Sequence, residues 1–246
     1  MATQVNNHGR AFDMPRKTRT SSRNISLAAG VLYLLTFVSI PIAFLYTPVR
    51  DVNYLIGPGP DTAVISGAIL ELVVALAGIG TAVALYPVVK RQNEAFALGF
   101  VGTRTLEAGT IFAGVVCLMA IVTLRKSGAG AEALVTGRAL IAMYDWFHLG
   151  QNLIPALNAV LLGSLLYRAG LVPRVLPVLG FIAAPLLVAN TILLMFGVTG
   201  PALTLTTLGV IPIAVWELSL GVWLVVKGFY ATPLTAAFDQ MEAVPE

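Results

Sequence analysis

Six long apolar runs, at about 24–46, 62–89, 95–124, 141–167, 174–196 and 202–226, set the terms on which this chain folds. Each is long enough to cross a hydrocarbon layer of about 30 Å at a helical rise of about 1.5 Å per residue. In lipid every backbone N–H and C=O must find its partner inside the protein, and a single run of this length does so as an α-helix. The runs therefore predict an all-α fold, a polytopic membrane protein built as a six-transmembrane-helix bundle. The connectors agree. Pro48, Pro58, Gly59 and Pro60 interrupt 47–60, residues 90–94 are short and polar, 125–132 is Gly-rich, and 170–173 is a tight turn. Links this short join helices of one bundle. The expected layout is a flexible tail over 1–23, one membrane domain over 24–228 and a second tail over 229–246.

Arg10, Arg16, Lys17, Arg19 and Arg23 precede the first run much as a charged leader precedes its apolar core. The run is about 22 residues, a full bilayer span, and no small-x-small cleavage pattern follows it, so it is expected to be the first span and not a cleaved signal. Only 11% of the chain is charged, against about 25% in soluble domains, while 57% is hydrophobic. The formal charge of +3 could attract nucleic acid, but the basic residues form short clusters beside the apolar runs. The lipid bilayer is the expected partner, and nucleic acid is not.

Counting Lys and Arg orients the bundle. With the amino end inside, the inner flanks hold Arg10, Arg16, Lys17, Arg19, Arg23, Lys90, Arg91, Arg168, Arg174 and Lys227, against Arg50, Arg125 and Lys126 outside. Both termini are thus expected on the cytoplasmic face of the inner (plasma) membrane, N-in/C-in. The stretch 132–144, moderately apolar and containing Arg138, has two readings: the start of the fourth span, or an interfacial helix leading into it. No fixed-period repeat and no matching pair of halves is visible, which weakens a secondary-transporter reading.

Glu71, Arg104, Glu107, Asp145, His148 and Glu217, with the amides Gln151, Asn152, Asn158 and Asn190, fall within or at the edge of the spans. A charge at membrane depth costs at least about 2.5–3.5 kcal/mol, so each must be paired, neutral or in contact with water. Helix rise places Glu71 and His148 at similar depth, roughly 7 Å outside the midplane, with Asp145 further out. Arg104, Glu107, Asn158 and Glu217 fall in a second layer, roughly 4–8 Å inside it. Arg104 and Glu107, three residues apart, share a helix face, and Arg104 can pair with Glu107, Glu217 or both. These charges are either a structural ion pair with a spare carboxyl or the lining of a polar cavity. The asparagines read most simply as hydrogen-bond links between helices, and Gly67, Gly78, Gly80, Gly99, Gly102, Gly109 and Gly114 as points of close packing. Pro41, Pro155, Pro177, Pro185 and Pro212 permit kinks, and most tyrosines and tryptophans sit near span ends as interfacial anchors.

Several mechanisms lack their parts. Cys117 is the single cysteine, so neither an internal disulfide nor a Cys-rich metal site is available. His148 is the one histidine in a span, His8 lying in the tail, which leaves no bis-histidine haem; no cofactor or metal is expected. No H-E-x-x-H, G-x-S-x-G or Walker A pattern occurs. Ser164 stands sixteen residues from His148 on the same predicted helix, roughly 24 Å along its axis, too far for a dyad.

Four segments carry a family likeness: Gly67-Ala-Ile-Leu-Glu-Leu; Ala84-Leu-Tyr-Pro-Val-Val-Lys-Arg-Gln-Asn-Glu-Ala; Arg104-Thr-Leu-Glu-Ala; and Asn158-Ala-Val-Leu-Leu-Gly-Ser-Leu-Leu-Tyr-Arg-Ala-Gly-Leu-Val-Pro-Arg. Over roughly 20–228 the chain resembles the bacterial membrane family called domain of unknown function 4386. The resemblance implies a bacterial inner-membrane protein and implies no activity. The function classes that remain are a small-solute, ion or proton permeation unit, an envelope structural or interaction protein, and an enzyme acting on a lipid or isoprenoid through intramembrane carboxylates.

Overall fold

A computed structural model describes residues 21–51, 53–57, 60–128, 130–198 and 202–242, with the side chains of 202–208 and 242 left undescribed. The tail residues His8, Arg10, Arg16, Lys17 and Arg19, together with Pro58 and Gly59, lie outside these. The described chain is helical. α1 (Ser21–Leu35) passes through a 3-10 turn (Thr36–Ser39) into a short α2 (Ile42–Leu45), and a second 3-10 turn (Pro48–Arg50) opens the following loop. α3 (Thr62–Val89), α4 (Glu94–Lys126), α5 (Ala133–Ala169), α6 (Val175–Met195), α7 (Ala202–Val226) and a terminal α8 (Pro233–Glu242) complete the order. Six segments, the first being α1 with α2, are long and apolar enough to cross a membrane.

These six form a ring. Each long helix packs on its neighbours in sequence, α3 on α1, α4 on α3, α5 on α4, α6 on α5 and α7 on α6, and α7 returns to close on α1. Which face turns inward is set by size, not polarity, because the helices are apolar all round. On α3 the small residues Ala68, Ala75, Gly78 and Ala82 are buried while Ile69, Leu76 and Val83, one stripe at seven-residue spacing, face outward. Small residues let backbones approach, and lipid covers the large ones. Gly150 of α5 sits where a Cβ would lie 2.5 Å from Thr110 of α4, and Gly30 of α1 where one would lie 2.8 Å from Val225 of α7. Gly102 and Gly109, expected as packing points, have nothing within 4 Å of a built Cβ.

The first span differs most from expectation. It is broken beside Pro41, which has no N–H to continue the α-helical ladder, and the chain there tightens to i→i+3 bonds such as Ile40 N–H to Phe37 O at 3.1 Å. Pro155, Pro185 and Pro212 lie within continuous helices. Residues 133–144 are not a separate interfacial helix but the first turns of α5, whose 37 residues extend about 55 Å, well beyond one bilayer core. The stretch expected as a tail after 228 contains α8, with Asp239 accepting from the Ser22 N–H and hydroxyl at 2.8 Å each. That contact puts the start of α1 and the last helix at one end of the ring. There, Arg23 donates to the last carbonyls of α7, Leu224 O at 2.8 Å and Val225 O at 2.6 Å, which lack helical partners of their own.

The interior of the ring is packed at both ends. Toward the α8 end it is filled by Leu85, Phe100, Leu162, Leu166, Leu220 and Leu224, all fully buried. Val64, Leu118, Ile121 and Val122 form a second buried apolar cluster toward the other end, and polar groups and space lie between the two.

Candidate polar cavities within the ring

The break in α1 lets the chain turn so that Tyr46 enters the ring beside α3. Gly67 makes room for it, since a Cβ there would lie 2.5 Å from the Tyr46 ring. One turn along, Glu71 is buried and accepts from both the Tyr46 hydroxyl at 3.1 Å and the Tyr144 hydroxyl at 2.8 Å. The two rings meet edge to face, centroids 5.6 Å apart. His148, one turn after Tyr144 on α5, stacks on that ring at 4.5 Å. Its Nδ1 lies 3.2 Å from the Tyr144 carbonyl, which accepts only, so Nδ1 carries a hydrogen. Its Nε2 is 3.3 Å from the Tyr144 hydroxyl and 3.9 Å from Glu71 Oε1.

Asp145 does not join this group. It pairs with Arg50 through two bonds of 2.6 and 3.2 Å, and both side chains are about half exposed. Asp145 was expected beside Glu71 and His148; the loop arginine after α2 reaches it with a two-pronged fork and holds it at the rim.

The second layer does assemble. Arg104, almost wholly buried, spans two carboxylates, donating through Nη1 to Glu107 Oε2 at 3.0 Å and through Nη2 to Glu217 Oε1 at 2.7 Å. Asn158 Nδ2 donates to the same Glu107 oxygen at 2.8 Å, and its Oδ1 accepts from Thr103. The guanidinium carbon stands 5.2 Å over the Tyr33 ring and 5.8 Å from that of Phe100. The result ties α4 to α5 and α7, and one cation faces two carboxyls. Asn190, on α6, is buried elsewhere, and its Oδ1 has no partner among the described residues.

Both layers border space. One cavity of about 260 Å³ is walled by Arg104, Glu107 and Glu217 together with Thr36, Ser39, His148, Gln151 and Asn152. The other, about 250 Å³, is walled by Glu71, Tyr46, Tyr144, His148 and Arg50. Ser39, Val74, Ile111, His148 and Gln151 belong to both walls, so the cavities adjoin. The broken stretch of α1 lines each of them, which is where irregular backbone at membrane depth is tolerated.

Three contributors were missed in the sequence: Tyr33, Tyr46 and Tyr144. Tyr46 and Tyr144 read as interfacial anchors, yet both are buried on Glu71. The available signal was the series Tyr144, His148, Gln151 at i, i+4, i+7, a polar stripe on one face of α5.

No curated protein and no solved structure matches the chain. The model of the family described as Domain of unknown function (DUF4386) matches residues 28–228, most of its length. Glu71, Arg104, Glu107, Asp145, His148, Asn158 and Glu217 all lie in the matched region, and the protein belongs to the DUF4386 family.

Proposed function

We propose that this protein is a permeation unit for protons or a small polar solute, in which Glu71 with His148 and the Arg104–Glu107–Glu217 group hold and exchange the proton. The observation that supports this most is the shared wall of the two cavities. An apolar plug between the layers would speak against transport, and here the joining residues include His148, Gln151 and Ser39. Charge counting supports it too, since one guanidinium against two carboxyls leaves one position for a proton or a cation. Lys and Arg placement puts both termini in the cytoplasm. The Arg50–Asp145 rim then faces outward, and the apolar packing toward α8 closes the cytoplasmic side in this conformation.

The test is thermal stability in detergent from pH 5 to 9 for wild type, Glu71→Gln, Glu107→Gln and Glu217→Gln. Stability of the wild type should change with pH, and at least one substitution should remove that change. Four flat, coincident curves would mean that no cavity carboxyl exchanges a proton and would leave a structural scaffold.

A further inference from the structure

Resting on the permeation reading, we propose that the cavity at the Arg104 layer binds a small organic ammonium ion, with Glu217 as its counter-charge. The argument begins with which atoms remain free. Glu107 presents one oxygen to two donors, Arg104 and Asn158. Glu217 meets Arg104 alone through Oε1, and its Oε2 has no partner among the described residues. Gln151 and Asn152, in the same wall, have amides with no described partner either. The amides bring donors as well as acceptors, so the surplus of acceptors rests on the two free carboxylate oxygens, Glu107 Oε1 and Glu217 Oε2, while both terminal nitrogens of the one arginine already meet the carboxylates.

An ammonium group matches this wall: three N–H donors, one positive charge, and a hydrocarbon body. The body has somewhere to go, because Phe37, Ile111, Val210 and Ile213 form the apolar part of the lining. At about 260 Å³ the space suits a molecule of several heavy atoms and is far larger than a bare ion needs. Binding makes an ion pair and hydrogen bonds at the free Glu217 oxygen, and no covalent bond forms or breaks.

Ethylammonium chloride, sodium acetate and ethanol, added to the detergent-purified protein at equal ionic strength, separate the possibilities. Ethylammonium should raise the melting temperature saturably, acetate and ethanol should not, and Glu217→Gln should lose the effect while Glu71→Gln keeps it. Should Glu217→Gln fold poorly, the unaltered protein answers instead: ethylammonium should slow the reaction of dicyclohexylcarbodiimide with Glu217, followed by mass spectrometry. Stabilisation by acetate and not ethylammonium, equal stabilisation of wild type and Glu217→Gln, or unchanged carbodiimide labelling would overturn the ammonium assignment. A permeation unit for another solute would survive these results, since its own test is the pH dependence of stability without added cation.

Discussion

Glu71 and Arg104 are the two residues on which the interior depends, and each is held by different chemistry. Glu71 has neutral hydroxyl donors and a histidine. Gly67 is what allows the first of these to approach, so Gly67→Ala should drive the Tyr46 ring off the carboxylate and lower stability by about 1–3 kcal/mol, the usual range for overpacking. Gly109→Ala, with open space at its Cβ, should leave the melting temperature unchanged. Differential scanning fluorimetry of the two variants tests the contrast. Removing Arg104 leaves two carboxyls without their cation, and Arg104→Ala should cost about 3–5 kcal/mol or abolish folded protein. Arg104→Lys should recover little, because a single ammonium does not span Glu107 and Glu217 as the fork does. Outside the membrane, Tyr54 donates to Asp61 at 2.7 Å, and burial together with that carboxylate pushes its hydroxyl up to about 12. The folded state thus keeps a proton that the unfolded chain releases above its ordinary value of 10.0. This contribution is complete below that value and disappears as pH rises toward 12, and Tyr54→Phe should remove that part of the alkaline decline in melting temperature. At this scale the charged residues were legible because a charge in an apolar run must be paired, neutral or in contact with water. Tyr46 and Tyr144 were not, because a tyrosine near a span end looks the same whether it meets headgroups or a carboxylate.

The helices were legible from length and hydropathy alone, and their ends follow ordinary capping. Asn93 accepts the Phe96 N–H at 3.0 Å to begin α4, and Gly170, at φ +61°, ends α5 with Leu171 N–H returning to Leu166 O at 3.2 Å. Two elements were not legible. The break after Leu35 needs more than Pro41, since Pro155, Pro185 and Pro212 sit in unbroken helices, and Pro155 borders the Arg104 cavity just as Thr36, Phe37 and Ser39 do. α8 is short and of mixed polarity, and its packing marks it as part of the fold: Asp239 holds Ser22 of α1, Phe238 is buried in the core, and Arg91 stands over the Phe238 ring at 4.8 Å. Asp239→Ala should lower stability by about 1 kcal/mol through the loss of both bonds from Ser22, measured as a shift in melting temperature against wild type.

For the whole molecule, the closed ring makes one interior, with apolar packing at each end and a polar region between. Neither kind of region could be assigned from hydropathy, because inward-facing Leu and lipid-facing Leu are equally apolar, and their sorting emerges only when neighbours are known. The two-layer arrangement of charges was legible from helix rise, and the space between the layers was not. That space carries the functional reading, and proton flux in sealed vesicles tests it most directly. Protein reconstituted into vesicles containing a trapped pH-sensitive dye is given an external acid pulse. The account predicts faster internal acidification than in protein-free vesicles, with Glu217→Gln or Glu71→Gln slowing it to the protein-free rate. Wild-type vesicles indistinguishable from protein-free ones, or variants as fast as wild type, would contradict it.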